Sequence, residues 1–124
     1  MIANRALQRA ELMAKAIRDS GCEVSSPWVL GPVERSGASA TNVFRRDVEG
    51  AERSDVIVAD VTEPSIGVGM EIMAAYKAGR RIILVEKKGK VTSRMLSHMD
   101  RKETLVYEED ADVYPALKLL LGRP

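Results

Sequence analysis

Two short runs of apolar residues constrain the fold of this chain more than any other feature of its sequence. Residues 55–61 (DVIVADV) and 81–85 (RIILV) lack the regular polar–apolar alternation of a half-solvated strand, so each predicts a strand buried on both faces. Residues 104–107 (TLVY) predict a third apolar strand. Residues 22–30 form a weaker strand candidate, because Pro27 cannot donate a hydrogen bond to a sheet.

Segments with helical periodicity separate these runs. Predicted helices cover residues 3–20, 41–53, 68–78, 91–99 and 110–121, and Gly21 and Gly79 stand where helix-ending glycines belong. Strands that alternate with helices form a parallel sheet covered on both faces, because each connection must cross back over the sheet. We therefore predict one α/β domain over residues 1–124, with a three-layer architecture of the flavodoxin-like or Rossmann-like kind.

Composition excludes several classes of protein. The 124 residues include 19 Lys and Arg against 18 Asp and Glu, and this net charge of +1 argues against binding to a nucleic acid polymer. Aromatic residues make up 4%, too few for the stacking platforms of single-strand binders. The single cysteine, Cys22, allows no intrachain disulfide and no cysteine metal cluster, which fits a cytoplasmic protein. No apolar run approaches 18 residues, and we predict no membrane span, metal ion or cofactor.

A turn-rich segment, residues 62–69 (TEPSIGVG), follows the first apolar run and leads into a predicted helix with Glu71 in or near its first turn. Ligands of parallel α/β sheets bind at the carboxyl ends of the strands, where this segment lies. Gly67 and Gly69 permit positive φ angles and close backbone approach, Ser65 offers a hydroxyl donor, and the helix start offers N–H groups. The segment is therefore a candidate site for a phosphate or a sugar oxygen. The alternative is an ordinary strand-to-helix turn with a Glu placed favourably for the helix dipole.

Asp47 lies on the helix that precedes this strand. On a helical wheel centred on Phe44, Asp47 falls at the edge of the apolar face and points towards the sheet, where an unpaired carboxylate costs free energy. Asp47 is then within reach of the segment that carries Glu71. Two carboxylates beside such a segment suit glycosidic cleavage, in which one attacks the anomeric carbon and the other manages protons. The alternative is a salt bridge from Asp47 to Arg45 or Arg46.

The segment FRRDVEGAERSDVIVADVTEPSIGVGMEIMAAYKAGRRIILV, residues 44–85, resembles the core of the nucleoside 2-deoxyribosyltransferase family. The closest branch comprises the 2'-deoxynucleoside 5'-phosphate N-hydrolases and the related CMP N-glycosidases. The shared pattern is an Asp on the helix before the strand, then D-V-x-V-A-[DE]-V-T-x-P-S-x-G-V-G-x-E, then a helix and A-G-[KR]. The resemblance covers residues 41–97, and KVTSRML (residues 90–96) is similar to a phosphate-contacting segment of the family.

The resemblance implies a role for each matching residue. Glu71 would be the nucleophile that forms a glycosyl-enzyme intermediate, and Asp47 would contact the base and help it leave. Ser65 would bind the 5'-phosphate, with Gly67 and Gly69 in the same binding segment. Ser93 would reach the phosphate of a neighbouring subunit, since members of the family are homodimers with sites completed across the interface. Met70, which directly precedes Glu71, is expected to line the pocket.

The implied activity is hydrolysis of the base–sugar bond of nucleoside or deoxynucleoside 5'-monophosphates by double displacement. The alternatives are a nucleoside 2-deoxyribosyltransferase, which transfers the sugar to another base, and a non-catalytic nucleotide-binding module. The chain departs from the family pattern before its first helix, where the family has a strand and a Gly-Ser-Ile-Arg-Gly-like loop. We therefore expect the first family strand to be missing, either because the start codon is set too far downstream or because the protein has lost half of its phosphate site.

Overall fold

The computed structural model describes residues 2–24, 38–90 and 93–123. Its elements, in chain order, are α1 (Ile2–Asp19), α2 (Ala38–Arg53), β1 (Val56–Asp60), α3 (Ile66–Lys77), β2 (Arg81–Lys87), α4 (Arg94–His98), β3 (Glu103–Tyr107), a 3-10 turn (Asp110–Asp112) and α5 (Val113–Leu121).

The three strands form one sheet in the order β1-β2-β3, and both pairings are parallel. In the first pairing Val56 lies opposite Arg81, and in the second Ile83 lies opposite Glu103. Each strand is followed by a helix, so the next strand begins at the same end of the sheet as the last. The predicted parallel order of the three apolar runs is confirmed.

Alternate residues of the strands face two separate apolar clusters. One cluster joins α1 and α5 to the sheet through Met13, Ala16, Ile83, Val85, Leu105, Tyr107, Val113 and Leu117. The other joins α2 and α3 to the opposite face through Ala51, Ala59, Val61, Ile72, Ala75, Ile82 and Leu84, with Leu96 of α4 packed against it. Because neighbouring residues of β2 serve opposite clusters, the strand has no polar face. The predicted three-layer architecture is confirmed.

Several predicted boundaries differ from the structure. Helix α2 begins three residues earlier than predicted, and α3 begins at Ile66 instead of residue 68. Most of the strand predicted over residues 22–30 lies outside the described residues, and its described part, 22–24, is not a strand. Phe44, predicted on the buried face of α2, has 63% of its surface exposed, because the α2 side chain buried against the sheet is Ala51, two turns later.

A polar network ties α1 to the carboxyl ends of two strands. The buried Arg9 donates from Nε to Asp60 Oδ2 at 2.8 Å, and its Nη1 lies 3.5 Å from Asp110 Oδ1. Asp60 Oδ1 in turn accepts from the backbone N–H of Thr62 at 3.0 Å, and the Thr62 hydroxyl is paired with that of the buried Tyr107 at 2.7 Å. The network therefore holds the turn that leads from β1 towards α3.

Candidate active site

The start of α3 is set by a serine cap. Ser65 has an extended backbone, and its Oγ accepts from the N–H of Val68 at 3.3 Å, which satisfies one of the amides that a helix start leaves unpaired. Gly67 and Gly69 consequently lie inside the first turns of α3. The prediction that they lie in the loop before the helix is therefore wrong, and neither is among the described glycines with positive φ.

The structure brings Glu71 of α3 close to Asp47 of α2, the helix that packs against it. Both side chains are partly buried. Burial raises the pKa of the Glu71 carboxyl above its ordinary value, and the negative charge of Asp47 raises it further. A carboxyl group whose pKa is raised in this way is typical of residues that take part in chemistry.

Asp47 also has a cationic neighbour on its own helix. The Arg46 Nε lies 3.4 Å from Asp47 Oδ1, a long ion pair in which Asp47 is 24% exposed. The salt bridge that the sequence offered as the alternative therefore exists alongside the approach of Asp47 to Glu71. Arg46 supplies positive charge on the α2 side of the pair.

Ser65, Gly69 and Ser93 line a groove of about 840 Å³ between α3 and α4. Asp47 and Glu71 are not among the described residues that line it, because Glu71 faces α2 from the opposite side of α3. Ser93 caps α4 as Ser65 caps α3, with its Oγ accepting from the N–H of Leu96 at 3.2 Å. The predicted site residues thus divide between the two sides of α3.

Gly67 lies one turn before Glu71 on the same side of α3. A Cβ atom built on Gly67 would meet no described atom within 4 Å, so the space above this backbone is open. Met70 is about half exposed. The sequence interpretation missed Phe44, which lies one turn before Asp47 and is largely exposed. The helical periodicity of the sequence assigned this aromatic residue to the core, and nothing in the sequence indicates that it faces solvent instead.

Within residues 2–24, 38–90 and 93–123, no three His, Cys, Asp or Glu side chains are grouped closely enough to hold a metal ion. In those same segments, no helix is both long and apolar enough to cross a membrane.

The fold and the site define a Rossmann-like α/β domain with an acidic pair near the carboxyl edge of its sheet. The sequence pattern of the family described as nucleoside 2-deoxyribosyltransferase matches residues 3–113. The chain belongs to this family.

Similar proteins carry related names. The chain is 31% identical over 90 residues to a protein of Methanococcoides burtonii provisionally named 2'-deoxynucleoside 5'-phosphate N-hydrolase 1, covering 69% of this chain and 73% of that protein. It is 41% identical over 73 residues to 5-hydroxymethyl-dUMP N-hydrolase of Danio rerio, covering 55% of this chain and 51% of that protein. The match thus spans about three quarters of one relative and half of the other.

A solved structure shows the same fold. The CMP N-glycosidase of Clostridium botulinum superposes with a TM-score of 0.75 over 97% of this chain and 94% of the other, at 15% sequence identity. At that identity the likeness concerns the arrangement of helices and strands, and it agrees with the three-layer α/β fold described above.

Proposed function

We propose that this protein is an N-glycosidase that hydrolyses the bond between base and sugar in nucleoside or deoxynucleoside 5'-monophosphates. The observation that carries the proposal is the approach of Glu71 to Asp47, with the pKa of Glu71 raised by burial and by the second carboxylate. The names of the relatives support the substrate class, since two of them are N-hydrolases of deoxynucleoside monophosphates.

The two carboxyl groups divide the work of a double displacement. The ionised Glu71 attacks C1' of the sugar, the bond from C1' to the base nitrogen breaks, and the departing base takes a proton from Asp47. Water then attacks C1', the bond from C1' to Glu71 breaks, and Asp47 recovers a proton from the water. The attack requires the ionised form of Glu71, whose pKa is raised by burial and by the charge of Asp47.

The start of α3 suits a 5'-phosphate. The Ser65 hydroxyl accepts the capping hydrogen bond, so its own hydrogen can be donated to a phosphate oxygen. The first amides of α3 and the positive end of its dipole add attraction for an anion. Ser65→Ala should therefore raise KM for monophosphates more than for the corresponding nucleosides.

The open side of α3 next to Glu71 suits the nucleoside. The backbone at Gly67 is bare, and Met70 and Phe44 present exposed apolar surface on α3 and α2. Sugar and base need an apolar wall beside the reacting carboxylates, since such pockets are lined mainly by apolar and aromatic groups. We assign Phe44 and Met70 to this wall.

Base release from a panel of nucleoside and deoxynucleoside 5'-monophosphates, followed by chromatography, tests the proposal. Glu71→Gln should lower kcat by at least two to three orders of magnitude, because an amide cannot form the glycosyl intermediate. Asp47→Asn should slow turnover while leaving binding measurable. Glu49→Gln is the matched control, because Glu49 lies on α2 in a surface ion pair with Arg53 and should leave kcat unchanged.

A second base added to the same assay separates the alternatives. A transferase yields a new nucleoside, whereas the proposed hydrolase yields free base and sugar phosphate. Absence of turnover with every monophosphate, together with measurable binding, favours the non-catalytic module. Loss of activity in Glu49→Gln equal to that in Glu71→Gln would contradict the assignment of the nucleophile.

The same proposal includes a homodimer in which the α3–α4 groove faces a second copy of the chain and Ser93 approaches the partner's phosphate site. Exposed apolar side chains support it, since Ile66, Met73 and Met95 lie on this groove. Met95→Glu should give a monomer in sedimentation experiments at micromolar concentration. Leu119→Glu, an equally apolar exposed position on α5, should remain a dimer. A monomeric wild-type protein would contradict the assembly.

A further inference from the structure

A surface ion pair lies two residues from the phosphate-binding serine. The Lys90 Nζ donates to Glu63 Oε1 at 2.6 Å, which joins the segment after β2 to the turn that precedes α3. Glu63 and Ser65 line the same groove. A carboxylate here opposes the binding of a phosphate, because like charges at short range repel.

We propose that Lys90 is a specificity-determining residue that selects substrates carrying a 5'-phosphate, and that Glu63 holds its ammonium group until the phosphate arrives. The inference rests on the proposed function, in which Ser65 receives the phosphate. Lys90 neutralises Glu63 in the free protein and turns towards the phosphate in the complex.

The energetics of the pair allow this exchange. Both side chains are a little under half exposed, at 42% and 45%, and exposed ion pairs contribute only about 0–1 kcal/mol to stability. A phosphate monoester carries about −1.5 to −2 charges at pH 7 and three acceptor oxygens, so it competes well against one carboxylate for an ammonium group. The long lysine side chain can move between the two acceptors without moving the backbone.

Substitutions of Lys90 and Glu63 are expected to have opposite effects on the binding of a monophosphate. A purely structural ion pair would not produce opposite effects. Lys90→Ala removes the attracting charge and should weaken binding of a monophosphate about tenfold, the size expected for one charge-assisted hydrogen bond. Glu63→Gln releases the ammonium group and removes a repelling charge, so it should tighten monophosphate binding by several-fold. Neither variant should change the affinity for the unphosphorylated nucleoside.

Isothermal titration of the Glu71→Gln protein with dUMP, deoxyuridine and inorganic phosphate measures these effects without turnover. The control is Lys88→Ala, two residues before Lys90, which removes the same charge from a more exposed ion pair with Glu108. The proposal predicts that Lys88→Ala changes dUMP affinity less than twofold. Selective weakening for dUMP and inorganic phosphate in Lys90→Ala, with tightening in Glu63→Gln, supports the proposal.

Equal losses in Lys90→Ala and Lys88→Ala would overturn it, since a general charge effect would then explain both. A loss of dUMP affinity in Glu63→Gln as large as in Lys90→Ala would also overturn the proposal, because the ion pair would then act only by maintaining the local structure. Binding is measured separately from turnover. A wild-type protein that releases no base would therefore refute the proposed function, while the binding affinities would still test the role of Lys90.

Discussion

Replacing Arg9 with Met tests the polar network that anchors α1 to the sheet. The Arg9 side chain is 7% exposed, whereas the paired carboxylates of Asp60 and Asp110 are 20% and 22% exposed. Removing one member of a buried ion pair costs about 3–5 kcal/mol, because the remaining charge is left without a partner. Water reaches both carboxylates here, so we expect a smaller loss of about 2–3 kcal/mol. For a chain of this length, that loss lowers Tm by about 8–12 °C.

Thermal and urea unfolding monitored by circular dichroism measure the effect. Arg5→Met is the matched control, because Arg5 lies one turn earlier on α1 and is exposed, so it should change the free energy of unfolding by less than about 0.5 kcal/mol. Arg9→Lys should fall between the two, since it keeps the charge and loses the planar donor pair. Equal stability of Arg9→Met and Arg5→Met would refute the reasoning, because the desolvation cost of Arg9 would then cancel its ion pairs.

Three further predictions concern glycine and pH. Gly67→Ala should raise the free energy of unfolding by up to about 1 kcal/mol, because alanine favours helices and its Cβ meets no described atom within 4 Å, but it should lower kcat/KM by filling the substrate side of α3. Gly50→Ala in α2 is the control and should raise stability without loss of activity. Unchanged activity in both variants would contradict the role of Gly67. Glu71→Gln should stabilise the protein at pH 7, since burial and the Asp47 charge raise the folded-state pKa of Glu71. This gain in stability should vanish below about pH 4, where Glu71 is protonated in both the folded and the unfolded state. A variant that is less stable than wild type in urea titrations at pH 7 would count against this prediction. Glu103→Gln should destabilise the protein at pH 7 by up to about 1 kcal/mol, because the Arg81 guanidinium holds the pKa of Glu103 below its usual value. The difference in stability between variant and wild type should fade as the pH falls through that lowered pKa. A difference that persists at pH 2 would show another cause.

Local sequence was sufficient to predict the strands and their direction. Residues 55–61 and 81–85 are apolar and rich in β-branched side chains, and such runs are stable only between two layers of helices. The helices between them force parallel pairing, because a chain returning to the same end of a sheet needs a crossover. The serine before α3 and the acidic residue at position 71 are likewise visible in the sequence, although the predicted start of α3 was two residues too late.

The site required the tertiary structure. Asp47 and Glu71 lie 24 positions apart, and only the packing of α2 against α3 brings their charges together. Periodicity placed Phe44 in the core, but its side chain is 63% exposed, and Ala51, two turns later on α2, is buried against the sheet.

The link between Lys90 and Glu63 joins two turns that are separated by a helix and a strand, and no spacing rule indicates it. Periodicity along a chain reports which side of an element is apolar. Which charges meet at the edge of the sheet depends on how the elements pack, and that is decided by contacts between residues distant in sequence.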